Sequence, residues 1–224
     1  MPRTIVFDVN ETLLDMRVLD KLFKRHLGSD SLRATWFTQV INTAITATIV
    51  GAPYRHFGQV GAAALQMVAK RNHITLSDDA LRDIPKQMLS LPPYPDVPVG
   101  LKRLKEAGFQ TVALTNSPLG ATRAQLEAGG LMRMLDQVLS VEAVGVFKPD
   151  ARVYQMAARE LGLETSDLLM VASHDWDIAG AMAVGYSGAF IARPGQVTNP
   201  YFDKPDIVAN DIQDAAEQII AMHR

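Results

Sequence analysis

The sequence contains no cysteine among its 224 residues. This excludes disulfide bonds, thiolate metal sites and a cysteine nucleophile, and it fits a reducing compartment. The formal net charge is only -2, so the chain has neither a basic field for nucleic acid nor the acidic excess typical of disordered proteins. No window reaches the roughly 18 to 20 apolar residues that a membrane-spanning helix needs. These features predict neither a nucleic-acid partner nor a membrane, and charge alone does not identify the partner.

The chain has enough apolar residues to bury a substantial core. Hydrophobic residues make up 48% of the sequence, which suits one large domain or a core with an insertion. The first residues, "MPRTIVFD", have no long apolar run after Arg3, so they predict a first strand rather than a signal peptide. These features predict a cytoplasmic protein.

Short β-rich runs alternate with helical patterns over much of the chain. The runs are Thr4–Asp8, Thr111–Asn116, Gln137–Glu142, Leu168–Ser173 and Gly188–Arg193. Helical periodicity covers 99–108 and 151–162, between the later runs. This alternation predicts an α/β fold with a Rossmann-like parallel sheet and helices on both faces.

Residues 16–90 break the alternation because their patterns are helical. Within them, "RATWFTQVINTAITATIV" is rich in β-branched residues and could also form a strand. The segment "LPPYPDVP" (91–98) follows, and its four prolines predict a stiff, non-helical return. We therefore predict a core domain formed by 1–15 and 91–224, with a helical cap domain inserted at 16–90.

Polar residues follow several of the predicted strands. In open parallel sheets, ligands bind outside the carboxyl ends of the strands, at the point where the strand order reverses. The residues at or just beyond such ends are Asp8, Asn10, Thr12, Thr115, Asn116, Ser173, His174, Asp175 and Asp177, and Lys148 lies in the loop after the third run. We expect these side chains to meet at one edge of the sheet.

Each of these residues also has an ordinary structural interpretation. Asp8 could cap a turn, Thr115 and Asn116 could cap the helix that starts near Pro118, and Asp175 and Asp177 could stabilise a helix N-terminus. Lys148 could be a solvated loop lysine. The combination favours catalysis instead, because a nucleophilic carboxylate needs a cation to lower its pKa, donors to orient it and a second acid nearby.

The motifs resemble those of the haloacid dehalogenase superfamily over the whole chain. The matching residues are Asp8 and Thr12 of a DxxxT motif, Thr115 with Asn116, Lys148 with Pro149, and Asp177. Segments 147–163 and 173–181 are similar to those of the type II L-2-haloacid dehalogenases. The resemblance implies a catalytic set of Asp8, Thr12, Asn116, Lys148 and Asp177 and a substrate-binding set of Asn10, Phe37, Thr115, Tyr154, His174 and Trp176. It implies hydrolysis of small 2-haloalkanoic acids through an aspartyl ester, with Tyr154 supporting Lys148 and the substrate.

Two positions separate this chain from the phosphatases of the same superfamily. Asn10 replaces the phosphatase general acid, and Ser173 replaces the first acid of their magnesium-binding pair. An amide cannot protonate a departing alkoxide, whereas halide leaves without a proton. We therefore predict no cofactor and no metal ligand. A magnesium-dependent phosphatase and a catalytically weak binding protein remain alternatives, and the sequence leaves a homodimer open.

Two further positions depart from the dehalogenases. Asn10 stands where those enzymes usually carry an aromatic residue, and Phe37 aligns with the arginine of the cap that receives halide. Arg33, four residues before Phe37, or a protonated His174 could replace that cation. The structural alternatives are a surface position for Arg33, a loop hydrogen bond for His174, and core packing for Trp36, Phe37 and Trp176.

Overall fold

A parallel β-sheet forms the centre of the computed structural model, which describes residues 3–222. Within these residues the sheet has six strands: β1 (Thr4–Phe7), β2 (Gln110–Thr115), β3 (Gln137–Ser140), β4 (Leu168–Ala172), β5 (Ser187–Ile191) and β6 (Ile207–Ala209). Their order is β3-β2-β1-β4-β5-β6, and the neighbours pair in parallel. β1 and β4 are buried along their whole length, which explains their continuous apolar sequences.

Helices cover both faces of the sheet, and four of them lie between β1 and α5 in the chain. Their bounds are α1 (Asp20–Leu27), α2 (Leu32–Ile49), α3 (Phe57–Arg71), α4 (Asp78–Met88), α5 (Val97–Glu106), α6 (Leu119–Ala128), α7 (Ala151–Leu161), α8 (Asp175–Met182) and α9 (Ile212–Ala221). The predicted α/β fold with a parallel sheet and a helical insertion after the first strand is confirmed. Among residues 3–222, no helix combines the length and apolar character needed to cross a lipid bilayer.

The inserted segment 16–90 is helical, including the part that could have formed a strand. That part is α2, whose buried residues are Trp36, Phe37, Val40, Ile41 and Ala44. This spacing of three and four residues places them on one helical face, and it outweighs the β-branched composition. The predicted division into a core domain and a cap domain at 16–90 stays a prediction. The outermost residues of the predicted core domain, Met1, Pro2, His223 and Arg224, lie outside the described residues.

We predicted that the return segment 91–98 contains no helix, and this prediction is wrong for its last two residues. Helix α5 begins at Val97 and includes Pro98 in its first turn. Proline is tolerated there because its missing N–H would have no partner within the helix. Strand β6 and helix α9 were also absent from the sequence prediction.

Candidate active site

Asp8 lies directly after β1, the strand flanked by β2 and β4. Its backbone N–H donates to the carbonyl oxygen of Val171 at 3.0 Å, which extends the sheet pairing by one residue. Only 6% of the residue is exposed. The chain forms β2 and β3 on one side of β1 and β4 to β6 on the other, so Asp8 lies where the strand order reverses.

Lys148 is the central cation of the site. Its Nζ donates to Oδ1 of Asp8 at 2.9 Å, to Oδ2 of Asp177 at 2.6 Å and to the carbonyl oxygen of Leu114 at 3.0 Å. The backbone N–H of Lys148 donates to Oδ1 of Asn116 at 2.9 Å. The lysine is 1% exposed, so the alternative of a solvated loop residue is wrong.

The three buried charges change one another's proton affinity. Burial alone would raise the pKa of Asp8, but Lys148 and His174 outweigh it and hold that pKa well below its ordinary value. Burial would lower the pKa of Lys148, but the charges of Asp177 and Asp8 raise it. Burial raises the pKa of Asp177, and although Lys148 opposes this rise, the charge of Asp8 adds to it. Asp8 is therefore held as an anion, and Asp177 is the carboxylate with the higher proton affinity.

Hydroxyl groups orient the second oxygen of Asp8. Thr12 Oγ1 donates to Oδ2 of Asp8 at 2.8 Å, and the backbone N–H of Ser173 donates to Thr12 Oγ1 at 3.0 Å. The hydroxyl of Thr115 instead accepts from the backbone N–H of Ser117 at 3.0 Å, and so shapes the turn after β2. Helix α6 begins at Leu119 with Pro118 at its N-cap, so the alternative in which Thr115 and Asn116 cap that helix is wrong.

Tyr154 fixes Asp177. Its hydroxyl donates to Oδ1 of Asp177 at 2.7 Å, whereas we had expected it to support Lys148. Gly180 lies one turn after Asp177 on α8, where a Cβ would come 2.5 Å from Pro149 Cβ and 2.8 Å from the hydroxyl oxygen of Tyr154. Helix α8 can approach the loop that carries Lys148 only because position 180 has no side chain.

A chain of alternating charges leads away from Asp8. His174 Nδ1 lies 3.3 Å from Oδ2 of Asp8, and its Nε2 lies 3.1 Å from Oε2 of Glu11. Arg33 Nη1 contacts Oε1 of Glu11 at 2.7 Å, and its Nε contacts Oδ1 of Asp20 at 2.6 Å. Arg33 is half-buried with two carboxylate partners, so its interpretation as a surface residue is wrong.

The proton affinity of His174 follows from its two carboxylate neighbours. Burial alone would lower its pKa, but Asp8 and Glu11 outweigh burial and raise the pKa to about 10. Burial would raise the pKa of Glu11, but His174 and Arg33 lower it. His174 is therefore a second cation beside Asp8 at neutral pH. Glu11 was missed in the sequence, where nothing marks it except its place between Asp8 and Thr12.

Aromatic rings form the wall above His174. The ring of Phe37 lies 5.7 Å from that of His174, and the ring of Trp176 stacks on that of His174 at 5.0 Å. Trp36 packs against Phe37 and donates its Nε1–H to the carbonyl oxygen of Gly61 at 2.9 Å. Trp36 therefore packs in the helical segment, whereas Phe37 and Trp176 border the candidate site.

Asn10 and Asp175 complete the set of predicted residues. Asn10 is 6% exposed and donates through Nδ2 to the hydroxyl oxygen of Ser117 at 3.3 Å. Its Oδ1 has no hydrogen-bond partner within residues 3–222. Asp175 lies in the first turn of α8 and accepts from Asn199 at 3.1 Å, toward the surface. No group of three or more histidine, aspartate or glutamate side chains able to hold a metal ion occurs in the described part of the chain.

Arg193, two residues after the end of β5, also contributes to the site, and sequence reasoning missed it. Arg193 donates through Nη2 to the carbonyl oxygen of Thr12 at 2.8 Å and pairs with Asp96 at 2.8 Å. Its guanidinium lies 3.8 Å from the centre of the Tyr94 ring. Arg193 thus anchors the turn that carries Asp8 and Thr12.

The fold and this carboxylate–lysine–carboxylate group define an α/β enzyme core with a candidate carboxylate nucleophile. Residues 2–185 match the model of the haloacid dehalogenase-like hydrolases, and the chain belongs to that family. The predicted family is thus confirmed.

The chain is similar over most of its length to several dehalogenases. It is 33% identical over 193 residues to (S)-2-haloacid dehalogenase 1 of Pseudomonas sp. (strain CBS-3), covering 85% of each chain. It is 30% identical over 195 residues to (S)-2-haloacid dehalogenase 4A of Burkholderia cepacia, covering 86% of this chain and 84% of that one. The solved structure of L-2-haloacid dehalogenase from Xanthobacter autotrophicus superposes with a TM-score of 0.91 at 25% identity, covering 99% of this chain and 100% of that one.

Proposed function

We propose that the protein hydrolyses the carbon–halogen bond of small 2-haloalkanoic acids through an ester on Asp8. The observation that carries this proposal is the buried contact of Lys148 with both Asp8 and Asp177, at 2.9 and 2.6 Å. It keeps Asp8 ionised in a site largely shielded from water, where a carboxylate is an effective nucleophile. The names of the relatives, (S)-2-haloacid dehalogenases, support the substrate class.

In the first step, a carboxylate oxygen of Asp8 attacks carbon 2 of the substrate. The new carbon–oxygen bond forms as the carbon–halogen bond breaks, and halide leaves with the bonding electron pair. Asp8 becomes a neutral ester, so its negative charge is transferred to the halide. Thr12 and Lys148 orient the attacking carboxylate through their contacts at 2.8 and 2.9 Å.

His174 is the cation that we assign to the leaving halide. The guanidinium of Arg33 is already neutralised by Glu11 and Asp20. His174 keeps its charge at neutral pH and loses one anionic neighbour when Asp8 becomes an ester. Because the protonated imidazole of His174 lies beside Asp8 before the reaction, no side chain has to move as negative charge develops on the halogen.

In the second step, water attacks the ester carbonyl of Asp8 and releases a 2-hydroxy acid. Asp177 orients the water and accepts its proton, for which its raised pKa is suited. As the carbon–oxygen bond breaks, Asp177 returns this proton to the oxygen of the departing hydroxy acid, and the carboxyl group of Asp8 ionises again. The hydroxyl of Tyr154 holds Asp177 in place at 2.7 Å. The bond that breaks joins the Asp8 carbonyl carbon to the ester oxygen, so Asp8 keeps one oxygen from water.

The remaining parts of the proposal concern the setting of the reaction. We assign 16–90 as a cap domain that limits the access of bulk water to Asp8, and we propose a cytoplasmic enzyme that needs no cofactor.

The charge of the substrate supports chemistry without a metal ion. A halocarboxylate brings a single negative charge, which Lys148 and His174 can offset, whereas a phosphate dianion would require more. Whether the enzyme is a homodimer stays a prediction.

Halide release from 2-chloropropionate, measured beside hydrolysis of para-nitrophenyl phosphate, tests the proposal. We expect halide release by the wild type and loss of it in Asp8→Asn. Phosphate release that requires magnesium would support the phosphatase alternative, and no turnover of either compound would support a binding protein. A folded Asp8→Asn variant, checked by circular dichroism, is the control.

A further inference from the structure

An apolar cavity of about 270 Å³ lies between the inserted helices and the start of α6. Residues of helices α2, α3 and α4 line it, together with Pro118 and Ala121 at the start of α6. The residues that give it its apolar character include Trp36, Val40, Phe57, Leu65, Ile84 and Met88. Nearly all of its lining surface is carbon. A cavity of this kind favours an uncharged hydrocarbon group.

Two residues connect this cavity to the candidate active site. Phe37 lines it and also lines a second, more polar cleft of about 540 Å³ that contains Glu11 and His174. Ser117 lines the apolar cavity and accepts the hydrogen bond of Asn10, two residues after Asp8. The two spaces therefore flank Phe37, one lined by charged side chains and the other by hydrocarbon.

This division matches the two sides of a 2-haloalkanoic acid. Such a substrate has a carboxylate and a halogen on carbon 2, together with a hydrocarbon side chain. We propose that the apolar cavity, called the tail cavity below, receives that side chain, and that the enzyme prefers 2-haloacids with a butyl or benzyl group over those with a methyl group. The proposal rests on the proposed function.

The volume of the tail cavity sets the size of the group. A dry apolar cavity of roughly 150 Å³ is enough to bind benzene, so about 270 Å³ holds a phenyl ring or a chain of several carbons. A methyl group would fill little of it. Each further buried methylene is expected to raise kcat/KM about three- to fourfold until the cavity is filled.

The test compares kcat/KM for 2-chloropropionate, 2-chlorobutanoate, 2-chlorohexanoate and 2-chloro-3-phenylpropionate. The wild type should favour 2-chlorohexanoate over 2-chloropropionate by roughly 30-fold. Ala121→Leu adds a side chain to the wall of the tail cavity and should abolish this preference while leaving kcat/KM for 2-chloropropionate within about twofold. The matched control is Ala124→Leu, the same change on the same helix at an exposed position outside the lining.

A wild-type preference that does not rise with side-chain length would overturn the proposal, as would an equal preference in Ala121→Leu and Ala124→Leu. Binding of hexanoate and propionate, measured by calorimetry, tests the tail cavity without turnover. Tighter binding of hexanoate that is lost only in Ala121→Leu supports the cavity even if no halide is released, and that result would reject the proposed function alone. Equal binding of both acids would reject the tail cavity.

Discussion

Replacing His174 by glutamine should remove a pH-dependent part of the free energy of unfolding. The imidazole is 5% exposed and lies 3.3 and 3.1 Å from two carboxylates. These neighbours raise its pKa from 6.5 to about 10 against the opposing effect of burial. The rise corresponds to about 5 kcal/mol of stability.

The sign of the effect follows from the direction of the pKa change. A group whose pKa is higher in the folded than in the unfolded state stabilises the fold fully below its unfolded pKa. That stabilisation is lost as the pH rises through the folded pKa. For His174 the loss therefore extends from about pH 6.5 to about pH 10. Between pH 7 and pH 9 it amounts to about 2.5 kcal/mol.

Urea unfolding at 25 °C and pH 7, 8 and 9 measures this loss. The stability difference between the wild type and His174→Gln should shrink by about 2.5 kcal/mol over this range. Groups common to both proteins cancel in the difference. His56→Gln, which changes an exposed histidine, is the control and should run parallel to the wild type. Parallel curves for the wild type and His174→Gln, or a difference that grows with pH, would refute the assignment of His174 as a buried cation.

Three further predictions concern the reaction. Asp8→Asn should abolish turnover without unfolding the protein, and in a single turnover in heavy-oxygen water the label should enter Asp8 before it reaches the product; label that appears first in the hydroxy acid would rule out the ester. Lys148→Met should move the acidic limb of the rate profile to higher pH, because Lys148 lowers the pKa of Asp8, and should reduce kcat about 100-fold or more; an unchanged profile would contradict this role. Halide release should survive exhaustive chelation, and activity that vanished with chelator and returned with magnesium would favour the phosphatase mechanism instead.

The sequence was sufficient to predict the parallel sheet and the residues at its carboxyl edge. Alternating apolar runs and helical patterns determine the sheet, and strand ends place Asp8, Asn116 and Ser173 together without any knowledge of side-chain packing. Strand β6 was missed because it has three residues, and Val208 at its centre is exposed. Such a short edge strand lacks the pattern by which strands are recognised.

Partners distant in the sequence could not be predicted. Glu11 is 22 residues from Arg33 and 163 residues from His174. Its ion pair with Arg33 forms because the inserted helix α2 folds back over Glu11, and its ion pair with His174 forms because β1 and β4 are neighbouring strands. Tyr154 was expected to support Lys148, yet its hydroxyl reaches Asp177. A sequence pattern indicates which strand ends lie at the same edge of the sheet, but the partner of each side chain depends on how the elements that carry it pack.

Gly180 illustrates how such packing controls chemistry. An alanine there would place its methyl group 2.5 Å from Pro149 Cβ, so α8 or the loop at Lys148 would have to move. Asp177 belongs to that helix, and its oxygen lies only 2.6 Å from Lys148 Nζ. The distance between the charges of Asp177 and Lys148 therefore depends on the absence of a side chain at Gly180. A substitution at position 180 would act as an active-site mutation while leaving every charged group in the protein unchanged.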